Sequence, residues 1–249
     1  MFPRKEGSRI KKMCTLEKRG SIFILTLTGD GEHRLNPNLL NSIRSSLRRV
    51  RHEAATSSAL ITTAHGKFFS NGYDLAWAQS GSKLERMTLM DDLLRSVVSD
   101  LLSLPMPTIA AVTGHASAAG YALALAHDYV LMRRDRGFLY MSELDIGLVI
   151  PAWFVALLGA KVGSPAALRR IVMAAAKLTA EEALRLGVVE SAHASAAETI
   201  EAAVELAADL GKRKWEGHVY AQNRKRLLCG VIKAIEDTSE RNSETTSRL

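Results

Sequence analysis

An α/β fold is predicted by three features of this 249-residue sequence. Short runs rich in β-branched and aromatic residues alternate with longer segments of helical periodicity, the pattern of strands separated by helices. Apolar residues make up 47% and charged residues 24%, the balance of a chain with a packed interior. Two runs of small residues each directly follow an apolar, strand-like run.

Residues 1–12 (MFPRKEGSRIKK) are basic and polar and read as a flexible tail, with no apolar segment of a secretory signal behind them. Residues 21–28 (SIFILTLT) form a strand that Gly29-Asp30-Gly31 closes. Asn36-Pro37 opens a helix, with Asn as cap and Pro in the first turn, and Leu39, Leu40, Ile43 and Leu47 follow at helical spacing. Residues 59–63 are a short buried strand, and the turn Ala64-His65-Gly66-Lys67 leads into 68–75 (FFSNGYDL). A helix over 87–102 has Met87, Leu89, Leu93, Leu94 and Val97 as its apolar side, and Pro105 and Pro107 stop it. Residues 108–112 read as a fully buried strand, 113–120 as a small-residue loop, the next segment as a helix to about His127, and 129–132 as another strand. Segments 150–161 and 164–176 read as helices. Thr179-Ala180-Glu181-Glu182 opens a further helix as a capping box, and Gly187 ends it. Residues 195–240 are mostly helical with a break near Gly211 and Gly217, and 237–249 is polar and loose. The stretch 107–126 contains Gly114, His115, Ser117 and Gly120, so strand, loop and helix in an interior explain it better than a membrane span.

The formal net charge is +7, with small basic clusters at Arg48-Arg49, Arg133-Arg134, Lys212-Arg213-Lys214 and Arg224-Lys225-Arg226. No zinc finger, RRM or other nucleic-acid module accompanies them. Solvated faces or a polyphosphate ligand such as coenzyme A account for this balance. Cys14 and Cys229 lie too far apart in sequence to form a ligand motif or a disulfide framework. No metal site is expected.

Chemistry is expected at two loops, Phe69-Ser70-Asn71-Gly72-Tyr73-Asp74 and Gly114-His115-Ala116-Ser117-Ala118-Ala119-Gly120. Small residues let a ligand approach the backbone. N–H groups at a helix start lack intrahelical partners and carry partial positive charge, so two of them from different loops can hold one oxyanion. The same small residues equally suit tight packing of helix on sheet. The run 114–120 lacks the spacing of a phosphate-binding motif. A Ser117-His115-Asp128 triad lacks a nucleophile elbow. The acidic candidate is Glu143, set among apolar residues that raise a carboxyl pKa and make it a base able to return its proton; Asp145 competes for the role.

Residues 69–75 resemble the first signature of the enoyl-CoA hydratase/isomerase (crotonase) superfamily, an F-x-x-G-x-D-[LI] pattern. Residues 107–120, followed by His127-Asp128-Tyr129, resemble the second, and Leu178–Ala183 with Gly187-Val188-Val189 resembles its later helix and strand. The match runs in order over about residues 14–190 and is most similar to the plant peroxisomal Δ3,Δ2-enoyl-CoA isomerases. It implies a crotonase-like spiral of ββα units over 13–190, a helical trimerisation region over 191–240, and a tail over 241–249. It also implies an oxyanion hole made by the backbone N–H groups of Tyr73 and Ala119, with Asn71, Gly72 and Gly120 beside the substrate. Arg34 and Lys67 are the candidates for the coenzyme A phosphates. Hydratases of the family carry two glutamates; here the first position is Ala122 and the second is Glu143. A single carboxylate suits a proton shuttle, so the implied activity is transfer of a double bond from C3 to C2 of an enoyl-CoA. The alternatives are hydration, thioester hydrolysis, or acyl-CoA binding without turnover. No cofactor is expected, coenzyme A being part of the substrate. The expected assembly is a homotrimer or hexamer. Ser247-Arg248-Leu249 resembles the peroxisomal targeting tripeptide, which implies an import receptor as partner and the peroxisome as location.

Overall fold

Successive side chains of a strand point to opposite faces, and the inner strands of the main sheet are covered on both, so they read as near-continuous apolar runs. A computed structural model describes residues 13–246, with side chains described to residue 237; the expected tail over 1–12 and the tripeptide Ser247-Arg248-Leu249 lie outside the described residues. The chain begins with β1 (Cys14–Arg19) and β2 (Ile22–Leu27), paired antiparallel. CTLEKR carries no strand-like apolar run; β1 forms because β2 offers it an edge, and it stays largely exposed. In β2, Phe23, Leu25 and Leu27 enter one core cluster and Ile22 and Ile24 the other.

Helix α1 (Pro37–His52) starts where expected, with the Asn36 side chain accepting from the Leu39 N–H, and buries Leu39, Leu40, Ile43, Leu47 and Val50. Each such side chain contributes about 1.5–3 kcal/mol on full burial, which fixes this helix to the sheet face carrying Phe23. After β3 (Ala59–Ala64) comes β4 (Phe68–Ser70), a strand where the sequence shows no strand pattern, and then a short helix α2 (Leu75–Gln79). Helix α3 (Lys83–Leu102) begins four residues before the expected start. That longer helix buries Met90, Leu94, Val97, Val98, Leu101 and Leu102, and Leu89 points to solvent instead of joining the apolar side.

The same pattern repeats with β5 (Thr108–Val112), β6 (His115–Ser117) and α4 (Ala119–Leu125), and again with β7 (Tyr129–Arg133), β8 (Leu139–Tyr140) and, after a long loop, α5 (Ala152–Lys161). Helix α6 (Pro165–Met173) comes next, and α7 (Ala180–Arg185) carries the expected capping box of Thr179 with Glu182. Strand β9 (Ser191–His193) and helices α8 (Ala196–Lys212), α9 (Gly217–Leu227) and α10 (Cys229–Thr246) complete the described residues, and α10 continues as helix through 237–246, where a loose polar tail is expected from the sequence.

The main sheet has the order β1-β2-β3-β5-β7-β9, parallel apart from β1, and the second sheet is β4-β6-β8, also parallel. Each of β3, β5 and β7 is thus followed by a strand in the second sheet and then by helix, the ββα succession that the resemblance implies. Ala203 and Ala207 of α8 close the face carrying Ile22, Ile24, Ile61, Ile109 and Ala111. Among the described residues, no helix is long and apolar enough to cross a membrane.

Two of the basic clusters are not wholly solvated. Arg133 is buried and donates to the Thr113 carbonyl, and Arg224 is buried in an ion pair with Asp128.

Candidate active site

Three parallel strands of one small sheet end side by side, and the segments that leave their ends make the site. β6 lies between β4 and β8, so the segment after Ser70, the segment after Ser117 and the segment after Tyr140 emerge together. They deliver Tyr73, Ala119 and Glu143.

On the first segment, Leu35 donates its N–H to the Gly72 carbonyl at 2.8 Å and its carbonyl accepts from the Asp74 N–H at 3.2 Å. In an extended chain alternate N–H groups point to opposite sides. The Tyr73 N–H therefore faces away from Leu35, and no acceptor takes it among the described residues. On the second segment, Ala118 gives its N–H to the Tyr140 carbonyl at 2.9 Å, and its carbonyl accepts from Ala122 N–H at 3.0 Å. Because a trans peptide sets N–H opposite C=O, the Ala119 N–H points out of the helix start. Ala118 reaches this arrangement at φ +50° and ψ −121°, a conformation that costs a residue with a side chain about 1–3 kcal/mol.

The two segments are in contact. Gly72 lies at φ +73°, and a Cβ there would stand 3.1 Å from the Ser117 carbonyl oxygen and 3.6 Å from the Ala119 nitrogen. A Cβ at Gly120 would stand 2.3 Å from the Ser70 carbonyl oxygen, so only glycine permits this approach.

Glu143 is 5% exposed and follows β8 at the start of a 3-10 turn, Leu144–Ile146. Its Oε2 is buried without a hydrogen-bond partner, and burial raises its carboxyl above the usual carboxylate range. Asp145 is exposed on that turn, which leaves Glu143 as the acid at the site. Glu143, Tyr73, Asn71, Ser117 and Arg34 line a cavity of about 400 Å³, whose other wall is apolar, with Met87, Leu148 and Val149. Glu143 is the one carboxylate among the described lining residues. Ala122, at the position of the first hydratase glutamate, is fully buried in α4.

Of the other expected site residues, Asn71 is tethered to Glu32 through its Nδ2 at 3.2 Å, and Arg34 is paired with the same carboxylate at 2.6 Å. Lys67 lies at the far end of β4, with its ammonium 5.6 Å from the Phe68 ring centre, outside the cavity lining. Gly72 and Gly120 act through the close packing described. The triad alternative is not assembled: His115 packs at a tilt against the rings of Phe68 and Phe138, Ser117 bonds Ser142 at 3.1 Å, and Asp128 is held by Arg224. A larger cavity of about 640 Å³ borders Asp128, Lys161 and Tyr220 at the start of β7. Both Asp128 oxygens are already engaged there by Arg224, Tyr220 and the Thr108 N–H, so it offers no free base.

A cluster behind the site escapes the sequence reading. Asp91 Oδ1 accepts from the Tyr73 phenol at 2.9 Å and from the Trp153 indole at 3.0 Å, and Oδ2 accepts from Arg95 at 3.0 Å. The available signal is an Asp–Arg pair at i, i+4 next to the apolar stripe of a helix, where charge needs a reason.

A family model described as enoyl-CoA hydratase/isomerase matches residues 17–228. The chain is 61% identical over 221 residues to enoyl-CoA delta isomerase 1, peroxisomal, of Arabidopsis thaliana, covering 88% of this chain and 91% of that one. It is 54% identical to enoyl-CoA delta isomerase 2, peroxisomal, of the same plant, covering 88% and 95%. A solved structure of an enoyl-CoA hydratase/isomerase family protein from Pseudomonas syringae superposes with a TM-score of 0.84 at 22% identity, over 93% of this chain and 97% of that one, which supports the fold.

Proposed function

The chain belongs to the enoyl-CoA hydratase/isomerase family, and we propose from that premise that it is a Δ3,Δ2-enoyl-CoA isomerase serving the β-oxidation of unsaturated fatty acids. The carrying observation is one buried carboxylate with an unpartnered oxygen, in a cavity lined by Tyr73 and Ala118, where the N–H groups of Tyr73 and of the adjoining Ala119 have no acceptor among the described residues.

The thioester oxygen of a 3-enoyl-CoA lies between the N–H groups of Tyr73 and Ala119. Glu143 takes a proton from C2; the C–H electron pair moves into conjugation, and the charge of the dienolate falls on the thioester oxygen. Fixed donors aimed at that oxygen stabilise it without reorganising. Glu143 then returns the proton to C4, and the double bond stands between C2 and C3. Nothing is added or lost, so one acid suffices. Burial strengthens Glu143 as a base, which is the property that proton abstraction from carbon needs. Hydration would call on a second acid, and Ala122 supplies none.

Coenzyme A would enter as part of the substrate, and Arg34 is the one cation among the described residues that line the cavity. Delivery to the peroxisome through an import receptor is supported by Ser247-Arg248-Leu249 and by the names of the two plant relatives. Assembly as a homotrimer or hexamer is supported by Val219 and Leu227, large apolar side chains exposed on α9.

The test is conversion of 3-hexenoyl-CoA to its 2-trans isomer by the wild type and by Glu143→Gln, followed by absorbance and mass. The expected result is a product of unchanged mass and a loss of about 10²–10⁴-fold in kcat for the variant. Unchanged turnover removes Glu143 from the mechanism, and a product heavier by one water makes the enzyme a hydratase.

A further inference from the structure

We propose that Asp91 is a positioning residue of the oxyanion hole, acting through the phenol of Tyr73 on the segment whose N–H receives the thioester oxygen. The inference rests on the reading above and extends it to a side chain that never touches substrate.

A main-chain N–H is aimed only as well as its residue is held. On the Leu35 side, the segment 71–74 is held by the two main-chain bonds described. On the opposite side it is held through the Tyr73 side chain, whose hydroxyl donates to Asp91 Oδ1 at 2.9 Å. The Tyr73 ring also packs against Phe154 of α5, with centres 6.4 Å apart. A bulky tyrosine at a position where only the N–H is needed thus has a use: it carries an anchor into the protein.

Asp91 is suited to be that anchor. Its side chain is 14% exposed and that of Arg95 is 5% exposed, so water competes little for their bonds. The same Oδ1 accepts from Trp153 Nε1 at 3.0 Å, and Trp153 opens α5 directly after the loop that begins at Glu143. One carboxylate oxygen therefore ties the oxyanion segment to the helix that ends the acid's loop. The other oxygen meets Arg95 Nε, and Arg95 reaches the Ile235 carbonyl of α10 at 3.4 Å as well as Asp92. Burial and the neighbouring Asp91 keep the Tyr73 phenol protonated, so it remains a donor across the working pH range. The oxyanion segment and the helix that follows the acid's loop are thereby tied to one largely buried carboxylate.

The experiment compares wild type, Tyr73→Phe, Asp91→Asn and the double variant. Tyr73→Phe keeps the N–H, the ring and the Arg95–Asp91 pair, and removes only the tether. Since an error of about 1 Å in a reacting geometry can cost 10²-fold, a loosened donor is expected to lower kcat about ten-fold. Affinity for butyryl-CoA, a ground-state ligand, is expected to stay within about two-fold, while affinity for acetoacetyl-CoA, whose enolate places charge on the thioester oxygen, falls in step with kcat. The double variant is expected to lose no more than Asp91→Asn alone, because both act through one bond. Wild-type kcat and ligand preference in Tyr73→Phe overturn the inference, as does an equal loss of affinity for both ligands. A wild type that isomerises nothing overturns the isomerase reading alone, because the ratio of the two affinities still reports the tether.

Discussion

Glu143, the acid proposed for the reaction, opposes the stability of its own fold. Its carboxyl pKa is raised by burial, and Oε2 finds no donor. Between the unfolded value of about 4.3 and the higher folded value, the folded chain binds more protons than the unfolded one, so stability falls as pH rises through that window. Above the folded pKa the penalty is fully present. Glu143→Gln is therefore expected to be inactive and more stable, by on the order of 1 kcal/mol. For a chain of this size that is about 2–4 °C in Tm. The advantage should shrink toward zero below about pH 4, where the wild-type carboxyl is protonated in both states. Activity runs the other way: kcat falls as pH drops through the folded pKa and the base is lost. Thermal melts at neutral and acid pH check the first point, and a variant less stable than wild type at pH 7 would show that a partner holds the charge.

At the scale of elements, α9 is fastened by one buried arginine. The Arg224 guanidinium meets both Asp128 oxygens at 2.6 Å and donates to the Leu104 carbonyl at 2.7 Å, which joins α9 to the entrances of β5 and β7. Burial alone would raise the Asp128 carboxyl, but hydrogen bonding and charge from Arg224 outweigh it and hold the pKa below its usual value. Arg224→Met strands that carboxylate and the carbonyls, at an expected cost of about 3–5 kcal/mol. Urea denaturation measures it, and a loss under about 1 kcal/mol would mean that water replaces the guanidinium without penalty. Sequence could not reveal this role: Arg224 stands beside Lys225 and Arg226 and looks like part of a solvated basic face. The strands β4, β6 and β8 were equally hidden. At two or three residues they are too short for alternation to register, and Phe69-Ser70 or Ala116-Ser117 read as loop. α1, by contrast, was plain from the Asn36-Pro37 start and a run of leucines at helical spacing.

For the whole molecule, the site was legible where main-chain chemistry leaves a mark in side-chain size. Gly72 and Gly120 are small because backbone meets backbone there, and Glu143 stands out as an acid among apolar neighbours. The Asp91 anchor left no such mark, since its partners come from α3, α5 and the segment after β4 and meet only in the folded chain. Net charge is the one property read without any fold, and it makes a prediction of its own. A chain of formal charge +7 attracts a polyanionic coenzyme A ester, and Lys67, Arg136 and Lys177 all act on His115 at the far end of the β4-β6-β8 sheet. Screening shortens the reach of such a field from about 30 Å at 0.01 M salt to about 8 Å at 0.15 M. If the field guides substrate to the cavity, kcat/KM should fall several-fold over that range while kcat, set by groups inside the cavity, holds steady. Steady-state rates at a series of sodium chloride concentrations test this. A flat kcat/KM would mean that the substrate is captured by local contacts alone, and Lys67→Glu would then be without effect; with guidance in force, that charge reversal should weaken the salt dependence and lower kcat/KM at low salt.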